Sequence, residues 1–158
     1  MRRTKEAGIT LIALVVTIVV LLILAGITIT FVLSDGGIFS QAQKAGTATN
    51  AGLISDYAGN GIGALLPYYY DDTITTKDYS AVFKAAFPAG TWETDPVIKV
   101  NETAVAGVEG AKSVTFSTVA TADATEAVAV NYTYNGNKYS VKVDKSVVTV
   151  KWLEKVSE

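Results

Sequence analysis

The sequence predicts an α+β protein. A long N-terminal transmembrane α-helix, interrupted near Gly36-Gly37, is expected to pack on a C-terminal antiparallel β-sheet head. Three observations carry this. From Ile9 to Leu33 the chain has 25 residues without a charge, and about 20 apolar helical residues cross a hydrocarbon core. Beyond Val97 the hydrophobic period changes to two, in segments rich in Val, Thr and Tyr. Between two of those segments stands Asn135-Gly136, a pair that accepts the positive φ angles of a tight hairpin.

The first element is a short charged stretch, Met1 to Gly8, with Arg2, Arg3 and Lys5 against Glu6. Basic residues on this side of the apolar run place the N-terminus in the cytoplasm and everything after Ser34 outside. Val15, Val16, Ile18, Val19 and Val20 are poor choices for a soluble helix. In a bilayer the backbone must satisfy its own hydrogen bonds, so a helix forms there regardless of propensity. Thr10, Thr17, Thr28 and Thr30 can return their hydroxyls to carbonyls one turn back. Ser34-Asp35-Gly36-Gly37 then ends or bends the helix. Ile38, Phe39, Ala42 and Ala45 mark a short amphipathic continuation through Lys44, expected to reach about Tyr57. After Lys44, glycines at 46, 52, 59, 61 and 63 make helix progressively weaker.

Pro67 is expected to open a loop, PYYYDDTITT. From Lys77 to Phe87, Tyr79, Val82, Phe83, Ala86 and Phe87 share a helical face, and Pro88 and Gly90 end it. Five candidate strands follow: VIKVN, SVTFS, AVAVNYTY, KYSVKVD and SVVTVKW. The fourth turns into the fifth near Asp144-Lys145, giving an antiparallel meander over about 97–152 with one buried face. The expected organisation is a leader at 1–8, a transmembrane and assembly helix at 9–33, a break and amphipathic continuation at 34–66, and an extracellular head at 67–158.

Composition excludes several chemistries. The chain has no cysteine and no histidine, so disulfides, thiolate metal sites and imidazole bases are ruled out. Its net charge is −2, and without residues 1–8 the ten basic and fourteen acidic side chains give −4. No basic nucleic-acid surface is present. Asp71-Asp72 beside Tyr68-Tyr69-Tyr70 invites a cation or carbohydrate reading, but calcium loops need more ligands at fixed spacing. A solvated loop with packing tyrosines is the simpler account. Glu93 and Asp95 near Trp92 are the minimum carboxylate pair for glycosidase work, yet two carboxylates in a turn before Pro96 are ordinary. Asn101-Glu102-Thr103 and Asn131-Tyr132-Thr133 match the N-glycosylation pattern, and Asn131 falls inside a predicted strand. The chain is read as a non-enzyme, without catalytic residues, metal site or cofactor.

The charged leader, the glycine at its end and the apolar run that starts at once with Ile9-Thr10-Leu11-Ile12 resemble type IV pilins and the related pseudopilins. The detailed likeness covers about the first 45 residues, and the head matches only in architecture. The resemblance implies cleavage by a prepilin peptidase between Gly8 and Ile9, and N-methylation of Ile9. It implies a single-pass precursor in the cytoplasmic membrane and a mature extracellular or cell-surface filament. Its partners would be further copies and other pilin-like subunits, with Ala13, Thr17, Ala25, Gly26 and Thr28 as the helix-assembly face.

One residue departs from the family pattern. At Ala13, five places after the glycine, the family carries a glutamate thought to pair with a neighbour's N-terminal ammonium. Thr10 and Thr17 could offer only hydroxyl oxygens in its place. Three outcomes stay open: a tip or minor subunit, a lineage that satisfies the ammonium differently, or a leader that is never removed. A signal peptide cleaved after Leu24-Ala25-Gly26 competes, but the apolar run continues to Leu33, too long for such a segment. The other alternative is an uncleaved bitopic anchor presenting a β-rich binding or adhesion head.

Overall fold

The computed structural model describes residues 4–34 and 37–156, with side chains from Thr10 onward except those of Phe31 and Leu33. Residues 1–46 and 47–158 form two compact units.

The first unit is dominated by α1, Thr4–Leu33. This helix begins before Ile9 and runs through the Gly8–Ile9 junction, because Lys5, Glu6 and Ala7 are themselves good helix formers. The interruption expected near Gly36-Gly37 falls between Leu33 and the start of α2, Ile38–Tyr70. Asp35 and Gly36 lie outside the described residues. Ser34 N–H still donates to Thr30 O at 3.0 Å, and Gly37 N–H closes a turn onto Ser34 O at 2.8 Å. Gln41 N–H then donates to Gly37 O at 3.1 Å, so Gly37 holds the N-cap position of α2.

From Thr47 onward α2 belongs to the second unit. It runs to Tyr70, well past the expected end near Tyr57, and Pro67 lies inside it. The reason is tertiary. Ile54, Ala58, Gly61 and Leu65 recur at helical spacing and are buried, and packing of that stripe outweighs the propensity cost of the glycines. Gly61 is required there, since a Cβ would lie 2.9 Å from Phe83 Cδ2 and 3.0 Å from Phe83 O. The end of α2 is capped from outside: the Lys77 ammonium donates to Tyr68 O at 3.0 Å and also to Tyr69 O, placing a cation at the negative helix end.

The short packing helix, α3, spans Tyr79–Ala85, with Asp78 as N-cap accepting from Ala81 N–H at 3.0 Å. Six strands follow: β1 Thr91–Trp92, β2 Val97–Ala104, β3 Lys112–Val119, β4 Ala129–Tyr134, β5 Asn137–Asp144 and β6 Val147–Lys155. The five expected strands are all present, and β1 is an addition. They do not make one meander. Only β4-β5-β6 does, with β1 on the outer side of β4, while β2 and β3 pair separately. All pairings are antiparallel.

The core joins Ile54, Ala58 and Leu65 of α2 and Phe83 of α3 with Ile98, Phe116, Tyr132, Tyr139, Val141 and Val143 of the strands. Around it Tyr57, Phe87, Trp92, Tyr132 and Tyr134 form a chain of edge and tilted ring contacts. Tyr132 lies against Gly90, where any Cβ would fall 2.3 Å from its ring. Its buried hydroxyl has no hydrogen-bond partner among the described residues, and burial pushes this phenol above its ordinary pKa.

Two turns close the meander. Asn135 and Gly136 have φ of 48° and 68°, as their identities predict. The β5–β6 turn is centred on Lys145 and Ser146, with φ of 49° and 65° and no glycine. That left-handed pair is held by β3: Ser146 N–H donates to Phe116 O at 2.8 Å, Phe116 N–H to Ser146 Oγ at 3.0 Å, and Lys145 N–H to Ser117 Oγ at 3.0 Å. One residue on, buried Thr118 accepts from Val143 N–H at 3.0 Å and donates to Val128 O at 2.5 Å. These bonds join the two-stranded sheet to the four-stranded one.

Candidate functional site

The largest unsatisfied demand in the first unit is apolar. Over Thr10–Thr30 α1 has 21 residues of mean hydropathy 3.1, none buried. It is long and apolar enough to cross a membrane, as an anchor or a signal sequence. Its polar groups are turned inward: Thr17 donates to Leu14 O at 2.8 Å, Thr28 to Leu24 O at 2.7 Å, and Thr30 to Gly26 O at 2.8 Å. Each hydroxyl proton is spent on the helix's own backbone, which removes the cost of placing it in an apolar medium. What each leaves outward is a lone-pair oxygen, an acceptor without charge.

The expected site residues divide on this helix. Gly8 and Ile9 lie within its first turns, the Ile9 side chain outside the described atoms. At about 100° per residue, Ala13, Thr17 and Thr28 share one side, with Ala25 next to Thr28. Gly26 lies on the opposite side, and a Cβ there would meet nothing within 4 Å. The five residues therefore surround more of the helix than a single face. Between Glu6 and Asp35 no acidic residue occurs, so no carboxylate stands beside Ala13.

In the second unit Glu93 and Asp95 are each engaged. Glu93 accepts from Asn131 Nδ2 at 2.5 Å and faces Lys138 Nζ at 3.5 Å, while Asp95 pairs with Lys84 at 2.9 Å. The Asn131 hydrogen bond, then the Lys138 charge, hold the Glu93 carboxyl below the usual range. Lys138 is pushed up by its hydrogen bond to Glu154 and by the charge of Glu93. A lowered pKa disfavours Glu93 as a proton donor at neutral pH. Glu93, Asp95 and Asn131 line a cleft of about 370 Å³ together with Val97, Val119 and Val130.

The tyrosine loop resolves similarly. Tyr68 and Tyr69 lie at the end of α2 with Lys77 over both rings, 6.0 and 5.6 Å from the centroids. Tyr69 OH donates to Glu102, which also pairs with Lys112 at 2.5 Å. The Glu102 carboxyl is held below its ordinary value, first by the Lys112 hydrogen bond and then by Tyr69, and Tyr69 is pushed up to about 12, chiefly by Glu102. Asp71 accepts from Thr73 N–H at 3.0 Å in a local turn. Among the described residues no group of three acidic side chains converges as a metal site. The glycosylation asparagines are both on strands with engaged amides, Asn101 on Ser117 at 3.2 Å and Asn131 on Glu93. Sequence reasoning missed Asp78, Lys77, Glu102 and Thr118. Only Asp78 carries a local signal, a capping residue directly before the apolar run of α3.

Comparison of the chain with models of protein families, with characterised proteins and with solved structures finds no match.

Proposed function

We propose that the chain is a structural subunit of a type IV pilus-like or pseudopilus filament. It is made as a single-pass membrane precursor with its N-terminus in the cytoplasm, cleaved after Gly8 by a prepilin peptidase, and assembled through α1. The observation that supports this most is the state of that helix: 21 uncharged or hydroxyl-bearing residues with no buried position. Such a surface needs apolar cover on all sides. Lipid supplies it in the precursor, and the α1 helices of other copies and of further pilin-like subunits supply it in a filament, where Ala13, Ala25 and Gly26 allow close approach. The charged stretch ending at Gly8 accounts for how the same helix is first inserted and then released.

N-terminal mass spectrometry of protein recovered from sheared cells tests this. The expected first residue is Ile9, carrying an N-methyl group. Exported protein that still begins at Met1 would rule the filament reading out.

Ala13 favours one second reading, an uncleaved bitopic anchor with a binding head. With no carboxylate near residue 13, an ammonium at Ile9 would have only neutral acceptors in an apolar bundle, which is costly. An intact leader creates no such charge. Under this reading shearing leaves all of the protein in the membrane pellet.

A further inference from the structure

We infer that Ile38 and Phe39, at the start of α2, seat in the interfacial layer of the outer face of the membrane, an inference that rests on α1 spanning that membrane. Both side chains are apolar and two-thirds exposed, 67% and 66%. Their depth follows from the hydrogen bonds before them. The uncharged apolar run reaches Leu33, and the 20 residues that end there, at about 1.5 Å each, span about 30 Å, the thickness of a hydrocarbon core, which places its outer boundary next to Ser34. Ser34 remains bonded to Thr30, and Gly37 N–H turns back onto Ser34 O at 2.8 Å. Ile38 and Phe39 therefore sit within about one turn of Ser34, and the headgroup layer is about 5–8 Å deep on each side.

The sequence around them matches that depth. Ile38, Phe39, Ala42 and Ala45 share one side of the helix, and Asp35 is the sole charge between Glu6 and Lys44. An apolar side on a helix start held at headgroup level is covered by acyl-chain ends, with its polar side toward headgroups and water. Ile38 and Phe39 thus form a second membrane contact beside the span, one that departure from the bilayer must break.

The absence of cysteine makes the test direct. The full chain is prepared as Ile38→Cys, Phe39→Cys, Leu22→Cys in the span and Asp123→Cys in an exposed head loop. Each variant is nitroxide-labelled and placed in bilayer discs of phosphatidylethanolamine and phosphatidylglycerol. Accessibility to oxygen and to a water-soluble nickel chelate then reads depth. Both helix-start labels should fall between Leu22 and Asp123, with oxygen favoured several-fold over nickel relative to Asp123. Values equal to Asp123 while Leu22 stays in lipid would overturn the inference alone. A water-accessible Leu22 would overturn the membrane-spanning reading beneath it. Labels shielded from both reagents, with line broadening that grows as copies per disc increase, would show a second copy as the occupant and equally overturn it. Both native side chains are mostly exposed, so their replacement removes no core contact.

Discussion

Replacing Thr118 by valine tests how much one buried hydroxyl contributes to the bonds that join the head's two sheets. Valine keeps the shape and removes the oxygen. Val143 N–H, which donates to Thr118 Oγ1 at 3.0 Å, is left without that partner in a fully buried place, and Val128 O loses a donor at 2.5 Å. An orphaned buried donor costs about 1–3 kcal/mol, so a loss of about 2 kcal/mol is expected. For a head of this size 1 kcal/mol moves Tm by about 4–8 °C, which predicts a fall of about 8–16 °C. Near-UV circular dichroism of the full chain in detergent micelles follows the Trp92–Tyr132 cluster and reports the head specifically. Thr118→Ser retains the hydroxyl and loses a methyl group, so it should melt between wild type and Thr118→Val. A valine variant as stable as wild type, or a serine variant less stable than valine, would refute the hydroxyl's part in joining the sheets.

Four further outcomes are expected. Gly61→Ala should destabilise the head by about 1–3 kcal/mol, as typical of overpacking, because its Cβ meets Phe83. Gly59→Ala faces open space and should stabilise by up to about 1 kcal/mol; denaturant midpoints compare the two. Glu102 should titrate by NMR below the ordinary glutamate value, and Lys112→Met should raise it. Since its folded pKa is depressed, the stability it contributes is present above the unfolded value and lost as pH falls through the folded one. Tyr69, by contrast, should ionise near pH 12 in ultraviolet titration and return toward 10 in Glu102→Ala. Its raised value means a contribution complete below pH 10 and lost between about 10 and 12. Asp78→Ala removes the cap of α3 and should cost about 1 kcal/mol, read from the same melts.

The sequence alone determined what local pattern encodes. The span of α1, the period-two strands and the Asn135-Gly136 hairpin each depend on a residue and its near neighbours. So do the charged stretch that ends at Gly8 and the uncharged Ala13 within the apolar run, which are linear features. Tertiary structure decided the rest. α2 continues past Tyr57 through three glycines and Pro67 because Ile54, Ala58 and Leu65 meet a core built by strands far along the chain. The turn at Lys145–Ser146 accepts positive φ without glycine because β3 supplies three hydrogen bonds to it. Glu93 looked like half of a carboxylate pair, yet it is claimed by Asn131, 38 residues away, and by Lys138 on the next strand. Propensity and periodicity act over a few residues, whereas desolvation, close packing and charge pairing act between whichever groups the fold brings together. The span and strands could therefore be read in advance, and the extended helix, the divided sheet and the engaged carboxylates could not.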